Sequence, residues 1–133
     1  MKGAKGLASW HEFVKNKDAE KLKGFIAEDV VFHSPVVWTP QKGKNIVQMY
    51  LVAAGQIIAN DDFEYVKEMS NDTMAMLEFK TIIDGISVEG VDMLTFNEKN
   101  ELIEMKVMIR PLKAVNVVHQ KIGEFLLKMK ENR

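Results

Sequence analysis

The stretch FHSPVVWTPQKGK, residues 32–44, puts an imidazole, a hydroxyl and an indole directly after three strand formers, Val30, Val31 and Phe32. His33 has a side chain whose unperturbed pKa near 6.5 suits general-base work. The Ser34 hydroxyl needs an adjacent base before it can act as one itself. Trp38, in the loop that follows, can cap an apolar ligand or pack on the last helix as core. Successive strand residues point to opposite faces, so His33 and Ser34 share a pocket only if a bulge intervenes. If Ser34 faces in, His33 faces out.

The sharpest chemical signal lies elsewhere. Strand-like alternation over residues 86–97 puts Ile86, Val88, Gly90, Asp92, Leu94 and Phe96 on one face and Ser87, Glu89, Val91, Met93 and Thr95 on the other. Asp92 therefore sits among large apolar residues, where an isolated carboxylate costs several kcal/mol. It must be paired, hydrated in a cavity, or protonated with a raised pKa. One reading is a structural aspartate satisfied by a backbone amide or by Arg110. The other is a pocket group for proton transfer or oxyanion stabilisation. Trp10 and Tyr50 come from helices that face the same side and read as core aromatics or pocket walls. The Tyr50 hydroxyl needs a partner, and Phe96 shares the Asp92 face. Arg110 could instead bind an anionic group.

These residues need a scaffold, and periodicity supplies one. Leu7, Trp10 and Val14 recur at helical spacing. Asp18 reads as the N-cap of a second short helix presenting Leu22, Phe25 and Ile26. Glu28-Asp29 breaks the pattern before a strand at Val30 to Phe32. Gly43 to Asn45 caps a longer helix through about Ala59, with Ile46, Met49, Tyr50, Ala53, Ile57 and Ile58 on its apolar positions. From Asp62 the period becomes two, predicting strands over 62–69, 73–83, 86–97 and 102–110 joined by turn chemistry such as Asp84-Gly85. Leu112, Val115, Val118, Ile122, Leu126 and Met129 make a closing amphipathic helix. Strand parity groups Arg110 with Leu102, Glu104, Lys106 and Met108. The fold class is α+β, with helices on one face of a curved sheet. Met74, Met76, Val91 and Met93 fall on the other face, which suggests a homodimer through the sheet.

At 133 residues the chain makes one domain, and 47% apolar with 28% charged residues is ordinary globular composition. With 18 basic against 19 acidic side chains, no net field favours nucleic acid or anionic lipid. There is no cysteine, hence no disulfide or thiolate chemistry. MKGAKGLASWHEF has no apolar core of a signal peptide, and no apolar run approaches the ~20 residues that span a bilayer. A cytoplasmic location is expected. His11, His33 and His119 lack metal-ligand spacing, and no phosphate loop, dinucleotide fingerprint or nucleophile elbow occurs, so neither metal nor cofactor is expected.

The segments WHEFVKNKD, AEDVVFHSP with a glycine before the next helix, GVDMLTFN and LIEMKVMIRP carry a resemblance. From about Leu7 to beyond Leu112 the chain resembles the nuclear transport factor 2-like superfamily, in its polyketide-cyclase-like (SnoaL-like) and ketosteroid isomerase-like branch. The resemblance implies a cystatin-like, cone-shaped α+β barrel, a curved mixed sheet wrapped around N-terminal helices. It also implies a pocket for a small hydrophobic molecule. It places the isomerase's protonated, oxyanion-binding aspartate at Asp92. The isomerase's catalytic aspartate falls at Ser34 and its helix tyrosine at Trp10, so steroid isomerisation by that mechanism is not expected. His33 is the available substitute base. The function implied is binding of an apolar carbonyl metabolite, with isomerase- or cyclase-type proton transfer at Asp92. The alternatives are binding without turnover, and a protein-interaction dimer with a vestigial pocket.

Overall fold

In the computed structural model, which describes residues 4–131, two helices precede the sheet. α1 (Ala4–Asn16) buries Trp10 and Phe13, with Leu7 and Val14 half-buried beside them. α2 (Ala19–Phe25) starts at the expected cap. Asp18 Oδ1 accepts hydrogen bonds from the amides of Glu20 and Lys21 at 3.1 and 3.2 Å, satisfying donors that the first turn leaves free. The first strand begins earlier than expected. β1 (Ile26–His33) carries Ile26 and Ala27 into the core, so Ile26 closes a strand register and not a helix face.

After β1 the chain makes an excursion over residues 34–40 and returns as a strand that periodicity did not reveal. β2 (Gln41–Lys42) pairs antiparallel with β1 through Val31↔Lys42 and Phe32↔Gln41. Two residues are too few to show a period. α3 (Lys44–Ile57) follows, then the meander β3 (Glu64–Ser70), β4 (Met74–Ile83), β5 (Ile86–Phe96) and β6 (Leu102–Arg110). Asp84 and Gly85 both take positive φ, 51° and 76°, matching the turn that joins two twisted strands in two residues.

The six strands run β2-β1-β6-β5-β4-β3, with β1 parallel to β6 and every other pairing antiparallel. The sheet is mixed and curved but does not close, so β2 and β3 remain edges of the cone. Its inner face buries Leu77, Phe79, Val88, Leu94, Met105 and Val107 against the helices.

Two expectations are corrected by packing. In α4 (Leu112–Glu131) the buried seam runs through Ala114, Val117 and Val118, while Leu112 is 73% exposed. The expected row of Val115, Val118, Ile122, Leu126 and Met129 is buried or half-buried, and Ala114 and Val117 widen it at the start, so only Leu112 departs from the expectation. In β6 the parity changes. Phe96 pairs with Leu102 but Thr95 with Glu104, so an irregularity at Ile103 turns residues 104 to 110 the other way. Leu102, Met105 and Val107 face in, and Glu104, Lys106, Met108 and Arg110 face out.

Candidate functional site

A cavity of about 40 Å³ lies between α1, the C-terminal half of α3 and the sheet's inner face. Its wall includes Trp10 and Phe13 from α1, Phe32 from β1, Tyr65 from β3 and Asp92 from β5, with Phe63 just ahead of β3. Five of the lining side chains are aromatic, and no cationic side chain reaches the lining. Such a volume takes about three waters. It lies well below the ~300 Å³ at which ordinary ligand pockets begin, so a ligand much larger must part the walls.

Asp92 is 6% exposed and occupies the inner face that alternation assigned to it. It stands beside Gly90 in the sheet, opposite Leu77 and Val107 on the two neighbouring strands. Its partner is Tyr65, whose hydroxyl donates to Asp92 Oδ2 at 2.5 Å, and Trp10 Nε1 donates to the Tyr65 oxygen at 2.9 Å. Indole, phenol and carboxyl thus form a single chain of hydrogen bonds pointing from helix to sheet. Burial pushes the Asp92 carboxyl up to about 7, against the opposing pull of the Tyr65 hydrogen bond. Burial first, and the neighbouring carboxylate second, raise the Tyr65 phenol well above its usual range. A carboxyl that changes protonation near neutrality can donate a hydrogen bond or take a proton within the same site.

Tyr65 was not among the residues singled out from the sequence. The signal was present: Phe63 and Tyr65 are two apart between Asp62, Glu64 and Lys67, a spacing that puts both rings on one strand face. Three ring contacts hold it, edge-on to Phe63 at 4.9 Å, to Phe79 at 6.5 Å and to His11 at 5.5 Å. On the outer side His11 Nε2 meets Glu68 Oε1 at 2.6 Å, joining α1 to edge strand β3.

The other residues chosen from the sequence lie outside the cavity lining. His33 points outward, its Nε2 3.2 Å from Glu104 Oε2, because Phe32 takes the inward position before it. Ser34 Oγ accepts from the Val36 amide at 3.1 Å and serves the loop's own turn. Trp38 is 97% exposed and neither caps the cavity nor packs on α4. Beyond the end of β1, which pairs as far as His33↔Lys106, the loop flanks an open groove beside Lys106 to Ile109 of β6. Tyr50 packs tilted against Phe32 at 6.1 Å without reaching the lining. Phe96 is buried over Gly6 of α1, away from Asp92. Arg110 is turned outward by the β6 irregularity and binds Glu89 Oε1 at 3.0 Å, so it is not the partner of Asp92. Among the described residues no three His, Asp or Glu side chains gather as metal ligands, and no helix is long and apolar enough to cross a membrane.

No protein-family model matches the sequence, and no curated protein matches it. Solved structures do. A steroid delta-isomerase from Pseudomonas aeruginosa superposes with a TM-score of 0.91 at 25% identity, covering 97% of this chain and 94% of the other. An uncharacterised cystatin-like protein from Silicibacter pomeroyi gives 0.82 at 27% identity over 90% of this chain and 83% of its own. A nuclear transport factor 2-like protein of unknown function from Mesorhizobium loti gives 0.71 at 16% identity, covering 82% and 91%. These likenesses are consistent with the nuclear transport factor 2-like superfamily. The element order and the unclosed mixed sheet are consistent with its ketosteroid isomerase-like branch.

Proposed function

We propose that this protein takes a small apolar carbonyl compound into the cavity and handles its oxygen through Asp92. The observation that carries the reading is a buried carboxyl, hydrogen-bonded to Tyr65, in a lining otherwise made of apolar and aromatic side chains and the Trp10–Tyr65 pair. Protonated, Asp92 donates to the carbonyl oxygen. Ionised, it accepts a proton from the carbon next to that carbonyl, the first step of an isomerisation or cyclisation. A titration near neutrality makes both forms available. The steroid isomerase likeness supports such chemistry, while the narrow cavity, whose walls must part even for one ring, disfavours a fused-ring ligand more strongly.

Binding without turnover is the second reading, and a specific observation favours it. His33, Ser34 and Arg110 all lie outside the lining, which leaves Asp92 without a second acid or base of ordinary pKa. A thermal-shift screen of wild type and Asp92→Asn against small cyclic and aromatic ketones tests the common part. A ligand at about 100 times its dissociation constant adds roughly 2.7 kcal/mol, several degrees of melting temperature for a domain of this size. Hits that weaken in Asp92→Asn support the reading, and turnover assays on those hits then separate catalysis from binding. Hits of equal strength in both proteins, or none, refute a role for Asp92 in ligand capture.

The outer sheet face supports a homodimer as part of this proposal. Met69, Met76 and Met93 form one cross-strand row on it, with Met74 and Met108 also 38% and 53% exposed. A row of exposed methionines is a soft apolar surface suited to a second copy. Sedimentation of wild type beside Met93→Glu tests it. A dimer that the glutamate splits is expected, and a monomer at micromolar concentration refutes it.

A further inference from the structure

The two oxygens of Asp92 are treated differently. Oδ2 receives the Tyr65 hydroxyl, and the Tyr65 oxygen is itself held by the Trp10 indole N–H. Phe63 packs edge-on against the Tyr65 ring and stacks on Phe79 at 5.3 Å, so the phenol is braced by rings as well as by hydrogen bonds. Oδ1 makes no hydrogen bond to another described residue, and no described side-chain oxygen is sealed away without a partner. Oδ1 is therefore the oxygen that opens on the cavity.

We propose that Tyr65 is the specificity-determining residue of this cavity: by holding Oδ2 it leaves Asp92 one oxygen for a ligand, so the site selects compounds with a single isolated acceptor over those that pair with both carboxyl oxygens. The favoured class is ketones and aldehydes. The disfavoured class is cyclic amides and amidines, whose neighbouring donor and acceptor match the two-pronged geometry of a free carboxyl. To bind, a two-pronged ligand must displace the Tyr65 hydroxyl and strand a buried donor, which costs more than the second hydrogen bond returns. The phenol also comes from edge strand β3, whereas the helix position that the resemblance assigns to a tyrosine carries Trp10. The inference deepens the carbonyl-pocket reading and rests on it.

Cyclohexanone and δ-valerolactam test it, because the two rings share size and shape and differ in the N–H beside the carbonyl. Affinities are measured by ligand-observed NMR for wild type and Tyr65→Phe, at about pH 6, where Asp92 is largely protonated. The wild type is expected to prefer the ketone. In Tyr65→Phe the ratio moves toward the lactam by about tenfold, the worth of one hydrogen bond gained. The Asp92 carboxyl also titrates at higher pH in that variant, since the bond that lowers it is gone. Should Tyr65→Phe fail to fold, Trp10→Phe releases the phenol and moves the ratio in the same direction by less. A ketone-binding wild type whose ratio is unchanged in the variants overturns the role of Tyr65 and leaves the carbonyl pocket standing. If neither ring binds any of the proteins, the pocket reading fails, and this inference with it.

Discussion

Replacing Asp92 by asparagine isolates one ionisation from the rest of the protein. The folded-state carboxyl titrates at about 7 against 3.8 for the free side chain, because burial penalises its charge. Below about pH 4 the group is protonated in both folded and unfolded chains and costs nothing. Between about pH 4 and 7 the unfolded chain releases the proton while the folded one keeps it, so stability falls by about 1.4 kcal/mol per pH unit. Above about pH 7 both states are ionised and the loss levels off at about 4 kcal/mol, three units' worth. Asparagine removes this term and little else, since its amide oxygen can still accept from Tyr65. Urea unfolding of both proteins at a series of pH values cancels the titrations they share. The stability of Asp92→Asn minus that of wild type should therefore rise by about 4 kcal/mol from about pH 4 to pH 8, equivalent to roughly 10 to 15 °C in melting temperature. A difference flat to within about 1 kcal/mol would mean that Asp92 is charged in the folded protein across this range, and the whole argument from its burial would fail.

Three further outcomes follow from the geometry. Gly90→Ala would put a methyl 2.5 Å from Phe79 Cζ and 2.7 Å from the Met108 carbonyl oxygen, so a loss of about 3 kcal/mol is expected in urea unfolding. Asp18→Ala removes the cap of α2 and should cost about 1 kcal/mol in the same assay, with Asp18→Asn recovering most of it. Arg110→Ala should change stability by less than about 0.5 kcal/mol and leave ligand affinity untouched, because its pair with Glu89 is exposed on the outer face. A large effect there, on either readout, would restore Arg110 to the site.

Much of this architecture is local and could be read from residues. Periods of 3.6 and 2 separate helices from strands, Asp18 and Asp84-Gly85 mark a cap and a turn through their own side chains and backbone, and alternation alone puts Asp92 on the buried face of β5. The resemblance carried by WHEFVKNKD, AEDVVFHSP and GVDMLTFN named the fold for the same reason, since these segments record which faces meet. What stayed hidden depends on residues far apart in the chain. The partner of Asp92 is 27 residues before it, and a second hydrogen bond reaches 55 residues from Tyr65 back to Trp10. A single irregularity in β6 reverses Arg110, and the loop between β1 and β2 leaves Trp38 in solvent. Parity propagates along a strand only until one inserted residue resets it, and no local pattern records that residue. The sequence by itself therefore determined that a carboxyl would be buried on this face. Only the tertiary structure decided that a tyrosine from the sheet's edge would hold one of its oxygens and leave the other free.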